Sequence, residues 1–170
     1  MTTAPALQVD GVTKAFAGLK ALSDVSMSVA QGQVVGLIGP NGSGKTTLLN
    51  CVSGLYSHDS GSISICGQST TGLRSDQIAT LGLRRTFQHS LVVLDQPVIE
   101  NVMLGAHTTI RGNVLSAAVG LGRMQGRDRD ARARARETLA WLGIEGIADV
   151  RSDRIGGPLL KLVEMARALV

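Results

Sequence analysis

Apolar positions in the first third of the chain recur at every second residue, in short runs separated by turn residues. Leu7-Gln8-Val9, Val12 to Phe16 and Val25 to Val29 read as strands. Gln31-Gly32 then turns the chain into Val34-Val35-Gly36-Leu37-Ile38, an apolar run of the kind carried by a strand buried on both faces. Ser60-Gly61 opens a further alternating strand, Ser62 to Cys66, which Gly67 ends, and a short strand is expected at Leu83 to Phe87. Elsewhere the spacing is helical. Leu48, Leu49 and Val52 predict a helix over Lys45 to Ser53 with Gly54 as its C-terminal cap, and further helices are expected at Arg74 to Thr80, Val98 to Gly105 and Ala131 to Leu142. The last helix follows Gly156-Gly157-Pro158 and carries Leu159, Leu160, Leu162, Val163, Ala166 and Leu169 on its apolar side. No strand pattern survives between His107 and about Val150. The fold expected is one α/β domain over residues 1–170, divided into three parts. Residues 1–88 form a β-rich part with the core strand, about 98–158 an α-helical subdomain, and 159–170 the start of a return to the core.

Between the apolar run and the first helix stand Gly39-Pro40-Asn41-Gly42-Ser43-Gly44-Lys45-Thr46, which fill every fixed place of the Gly-x-x-x-x-Gly-Lys-[Ser/Thr] phosphate loop. A triphosphate needs several backbone N–H donors converging on it, and glycines let the chain curl close without a Cβ in the way. The helix that follows points its unpaired N–H groups and positive dipole end at the phosphates, and Lys45 adds a mobile full charge. Candidate nucleotide-binding residues are therefore Gly39, Pro40, Asn41, Gly42, Ser43, Gly44, Lys45, Thr46 and Thr47, with the Thr46 hydroxyl the candidate Mg²⁺ ligand. Nothing in the loop itself selects adenine.

Composition narrows the setting. Hydrophobic residues at 44% and charged residues at 18% are an ordinary globular balance. No stretch reaches the roughly 18 apolar residues of a membrane span, and Met1-Thr2-Thr3-Ala4-Pro5 has neither the basic start nor the apolar core of a signal peptide, so a soluble cytosolic protein is expected. Cys51 and Cys66 lack metal-ligand spacing and read as small core hydrophobes. Net charge is +4, and the segment Arg123 to Arg136 alone holds six arginines against Asp128 and Asp130. None of the chain's four aromatics lies in that segment to stack on bases, which argues against nucleic acid. A solvated helical face and a docking surface for a protein or lipid head groups both remain open.

The chain resembles the ATP-binding subunits of ABC transporters, and in its wording those of branched-chain amino acid importers. The resemblance rests on Phe16-Ala17-Gly18-Leu19-Lys20-Ala21-Leu22, Val35 to Ile38 feeding the loop, Gly54-Leu55-Tyr56 and Ser60-Gly61 after its helix, Arg85-Thr86-Phe87-Gln88, Glu100-Asn101-Val102, and Leu162 to Leu169. It implies an ABC-type P-loop core with an antiparallel β part and an α-helical subdomain. It also implies ATP and Mg²⁺ as cofactors, Phe16 stacked on adenine, and Gln88 as the Q-loop glutamine that touches the metal and the hydrolytic water. The partners implied are transmembrane permease subunits and a second ATP-binding subunit, with the protein peripheral to the cytoplasmic face of the membrane.

The sequence departs from the family pattern at two places. Where the signature motif is expected stand Ile155-Gly156-Gly157-Pro158-Leu159, with Gly156 in the serine position and Pro158 removing an N–H donor. The final helix stops at Val170 without a cap and reads as cut before the Walker B strand, its Asp-Glu pair and the switch histidine. Leu91-Val92-Val93-Leu94-Asp95 is an apolar run ending in a carboxylate, but it precedes the signature and is followed by Gln96. The expectation is an importer subunit that binds ATP·Mg²⁺ without a complete hydrolytic site. The alternatives are a non-hydrolysing nucleotide-binding module or non-functional fragment, and a different P-loop phosphotransferase or NTPase that uses Asp95.

Overall fold

Antiparallel pairing organises the first half of the chain. The computed structural model describes residues 4–86, 92–108 and 121–170, which fall into two compact units, Met1–Leu83 and Arg84–Val170. In the first unit, strand β1 (Leu7–Phe16) lies between β2 (Leu19–Val29) and β3 (Ser60–Ile65), with the two-residue β4 (Gln68–Ser69) on the far edge of β3. Two runs expected as separate strands are thus one. A register shift between Val9 and Val12, with Gly11 at φ +58°, lets both valines, three residues apart, point into the same core. Helix α1 (Lys45–Val52) covers that core with Leu48, Cys51 and Val52, whereas Leu49, expected on the apolar face, is exposed.

The run Val34 to Ile38 forms no strand, contrary to the pattern's expectation, and Val34 is 98% and Ile38 93% exposed. An apolar run encodes a demand for burial, but a parallel strand also needs ladder partners, and every pairing between strands among the described residues is antiparallel and excludes this segment. Residues 83–86 likewise take no regular structure, and Phe87 lies outside the described residues. Cys66 is a second correction: it sits exposed at the end of β3 with φ +48°, in a turn rather than in the core. Cys51 is buried as expected, and that burial pushes its thiol pKa above the ordinary value.

The first unit also contains helix α2 (Ser75–Thr80). The second unit is helical, built from α3 (Val98–Met103) running into a 3₁₀ turn at Leu104–Thr108, α4 (Leu121–Trp141) and α5 (Gly157–Leu169). Ala131, Ala135 and Leu139 form one buried stripe of α4, and Ala135 and Leu139 join Val98, Ile99, Val102, Val163 and Ala166 in the core. Two arginines of the segment are engaged in ion pairs. Arg132 pairs with Glu100 at 2.8 Å and with Asp149 at 3.3 Å, and Arg136 pairs with Asp149 at 2.9 Å. Among the described residues no helix is long and apolar enough to cross a membrane.

Asn101, fully buried in α3, holds the incoming chain. Its Oδ1 accepts from Val93 N–H at 2.7 Å, and its Nδ2 donates to the Val93 carbonyl at 2.9 Å and to Ser152 Oγ at 3.1 Å. The N–H groups of Val98 and Ile99, which begin α3 and have no partner within it, donate to the carbonyls of Val150 and Ala148. Replacing Asn101 with leucine removes the partners of the Val93 N–H and the Ser152 hydroxyl and leaves the Val93 carbonyl with only the Gln96 N–H at 3.3 Å. We expect the second unit to lose about 2 kcal/mol, read by chemical denaturation, with hydrogen exchange accelerated at Val93.

Candidate nucleotide site

Residues 33–40 carry no regular structure and lead into a turn, Ser43 N–H donating to the Pro40 carbonyl at 3.3 Å, and the chain then enters α1. Gly44 is the residue before the helix, at φ +89°, and no side chain caps the N–H groups of the first turn. The ammonium of Lys45 folds back over the loop, donating to the carbonyls of Gly39 and Pro40 at 2.7 Å each and approaching Ser43 Oγ at 3.4 Å. A full positive charge thus stands beside uncapped helical N–H groups, with no acidic side chain in the first turn of the helix. That donor set fits a compact polyanion. Asn41, Gly42, Ser43 and Thr46 are exposed, and Gly39 is exposed with Ser43 Oγ 2.8 Å from where a Cβ would stand. Pro40 is exposed, and Thr47 is half-buried one turn-step behind Thr46.

The loop is fastened to the β-hairpin. A Cβ on Gly44 would lie 2.5 Å from the Ala21 carbonyl oxygen and 2.9 Å from Leu22 Cδ2, so the loop's last glycine lies directly on β2. The partner strand ends at Phe16, which faces Leu19 across the two-residue turn Ala17-Gly18. Its ring is 40% exposed and makes an edge contact with Tyr56, centroids 5.3 Å apart, while the Lys14 ammonium stands 5.3 Å over it. Lys14 in turn pairs with Asp59 at 2.8 Å. The hydrogen bond from Lys14, then that from the Ala15 N–H, holds the Asp59 carboxyl below its ordinary pKa.

Phe16 and residues 39–47 all lie in the first unit, Gly44 against β2 and Phe16 at the end of its partner strand β1, and Gln88 lies outside the described residues. Sequence reasoning missed Tyr56, Lys14 and Asp59; only Tyr56 carried a signal, as an aromatic just past the α1 cap. Asp95 fails the Walker B alternative. Leu91 lies outside the described residues, Val92 is buried among the helices, and residues 94–96 form a turn rather than the end of a strand. Ile155 to Leu159 lead into α5, with Gly156 at the N-cap and Pro158 in the first turn, where a missing N–H costs the helix nothing but leaves one donor fewer for an anion. Among the described residues no cluster of three or more His, Cys, Asp or Glu forms a metal site.

A family model described as ABC transporter matches residues 22–170. The chain is 32% identical over 166 residues to the high-affinity branched-chain amino acid transport ATP-binding protein LivG of Salmonella typhimurium, covering 98% of this chain and 65% of that protein. It is 31% identical over 166 residues to the corresponding protein BraF of Pseudomonas aeruginosa, with the same 98% and 65% coverage. Among solved structures it is similar to the ADP conformation of an ATP-binding cassette of an ABC transporter, with TM-score 0.79 and 29% identity over 98% of this chain and 65% of that one. The chain spans about 65% of the length of these relatives.

Proposed function

The chain belongs to the ABC transporter family, and from that membership we propose that it binds Mg·ATP as the ATP-binding part of an importer of branched-chain amino acids. The observation that carries the reading is the Lys45 ammonium gathered by the loop carbonyls beside the uncapped start of α1. In this reading the loop amides and Lys45 hold the phosphates, Thr46 ligates Mg²⁺, Phe16 stacks on the adenine, and Gln88 reaches the metal and the attacking water. When bound, Mg²⁺ would supply charge neutralisation at the phosphates. The partners are permease subunits and a second ATP-binding subunit, and the site of action is the cytoplasmic face of the membrane. The identities with LivG and BraF support the class of solute.

Binding without turnover is the behaviour proposed for these 170 residues. No apolar run in the sequence ends in Asp-Glu, and the one that ends in Asp95 meets the helical core as a turn. Phosphoryl transfer needs a carboxylate or its equivalent to orient the water. A thermal-shift titration tests the binding half. Mg·ATP at about 100 times its dissociation constant stabilises a folded site by roughly 2.7 kcal/mol, and Lys45→Ala is expected to remove that shift. A shift of equal size in Lys45→Ala would place the nucleotide elsewhere. Steady-state turnover abolished by Asp95→Asn would overturn the non-hydrolysing reading.

A further inference from the structure

The tip of the β1–β2 hairpin is a poor place to hold a ring still. Phe16 and Leu19 form its last pair, Leu19 is exposed, Ala17 and Gly18 both have positive φ, and the register shifts between Lys14 and Ala15. The end of a two-stranded ribbon frays in water unless a third element supports it. Strand β3 cannot supply that support, because its pairing with β1 begins at Ser60 opposite Thr13 and leaves the next stretch of that edge without a strand partner.

Asp59, the residue just before β3, fills the place of the missing strand. Its backbone N–H donates to the Thr13 carbonyl at 2.8 Å, its Oδ2 accepts from the Ala15 N–H at 2.7 Å, and its Oδ1 accepts from Lys14 Nζ at 2.8 Å. One residue thus grips three consecutive residues of β1 immediately before Phe16. The Lys14 side chain, only 14% exposed, is held with its ammonium over the Phe16 ring. Three residues earlier in the same loop, Tyr56 sets its ring against Phe16. The loop is anchored to the phosphate-loop helix, for the N–H groups of Leu55 and Tyr56 both donate to the Asn50 carbonyl of α1. At the other end of α1, Gly44 lies on β2 at Ala21. A closed circuit of contacts therefore runs from the phosphate loop through α1, Tyr56 and Asp59 to Phe16, and back through β2.

We propose that Asp59 and Tyr56 are positioning residues for Phe16, fixing where the base of a nucleoside triphosphate stacks while leaving the phosphate cradle untouched. The proposal rests on the reading that Phe16 carries the base. It makes preference for the nucleotide over its bare polyphosphate depend on a loop that touches neither.

Calorimetric titration of the full 170-residue chain with Mg·ATP and, separately, with Mg·tripolyphosphate separates the two contributions. Asp59→Asn and Tyr56→Ala are each expected to weaken ATP binding about five- to tenfold, the order of one aromatic contact, with tripolyphosphate affinity unchanged within about twofold. Tyr56→Phe, which keeps the ring, is expected to restore the ATP affinity. A general loss of structure lowers both ligands together, so parallel loss in Asp59→Asn and Tyr56→Ala overturns the proposal, as does no loss in either. Phe16→Ala tests the underlying reading by itself. If that variant keeps the full preference for ATP over tripolyphosphate, the base does not stack there and the positioning role falls with it.

Discussion

Alanine in place of Gly44 is expected to abolish the response to Mg·ATP and to cost the first unit about 2–5 kcal/mol. Two independent penalties meet at this residue. At φ +89° a residue with a Cβ takes on about 1–2 kcal/mol of backbone strain. The added Cβ would also lie 2.5 Å from the Ala21 carbonyl oxygen and 2.9 Å from Leu22 Cδ2, and relieving that overlap adds roughly 1–3 kcal/mol. The oxygen belongs to the backbone of β2, which is tied across to β1 by the pairs Leu22–Lys14 and Lys20–Ala15, so it cannot swing aside as a side-chain tip would. Relief must come from the loop, and any shift there moves Lys45 and the first N–H groups of α1 out of register with a phosphate. Gly42→Ala is the matched control. It has nearly the same φ, +82°, but no neighbour within 4 Å of the new Cβ, so only strain of about 1–2 kcal/mol is expected. Urea denaturation and calorimetric titration of the two variants side by side check this. Equal losses in both would mean that the contact between Gly44 and β2 does not hold the loop.

The contrast between these two glycines shows what a sequence can and cannot carry. The phosphate loop was legible because its requirements are local: glycines that turn, a lysine, a hydroxyl and a helix start must follow one another within eight residues. The β-hairpin and the helix with Leu48 and Val52 were legible for the same reason, through periods of two and of 3.6 residues. Which glycine meets a neighbouring backbone depends on residues some twenty positions away, and no local pattern records it. The arginine segment shows the same limit in charge. Its surplus counted along the chain ignores Glu100 and Asp149, which the fold brings to Arg132 and Arg136. Val34 to Ile38 fails in the opposite direction, since its apolar run states correctly that the segment seeks burial but cannot supply the strands that would flank it. Asp59 escaped notice because its role is to stand in for a strand that begins one residue later, a role visible only once the register of β3 on β1 is known.

Gly105→Ala is expected to be the most damaging single-methyl change in the helical unit. Gly105 lies in the 3₁₀ turn after α3, and its Cα faces the backbone of α5 so closely that a Cβ would fall on the carbonyl oxygen of Arg167, with the Arg167 carbonyl carbon 2.9 Å and Cγ 3.2 Å away. No positive φ is involved, so the effect is purely one of approach between two backbones. The oxygen belongs to the backbone of α5 rather than to the tip of a side chain, so it has little room to give and the elements must part. Their shared core consists of side chains with no exposed surface to spare, Val98, Ile99 and Val102 on one side and Val163 and Ala166 on the other. The cost is therefore expected at or above the roughly 3 kcal/mol upper end of ordinary overpacking. Separation of the two elements also opens voids around Val102 and Val163, where each lost contact adds to the loss. Gly146→Ala, in another 3₁₀ turn of the same unit and with nothing within 4 Å of the added methyl, is expected to be neutral within about 0.5 kcal/mol. Denaturation of both variants, with hydrogen exchange followed at residues 98–103 and 157–169, measures the difference. If Gly105→Ala leaves exchange in both segments as slow as in the unaltered chain, the close approach of these backbones is not what holds the unit together.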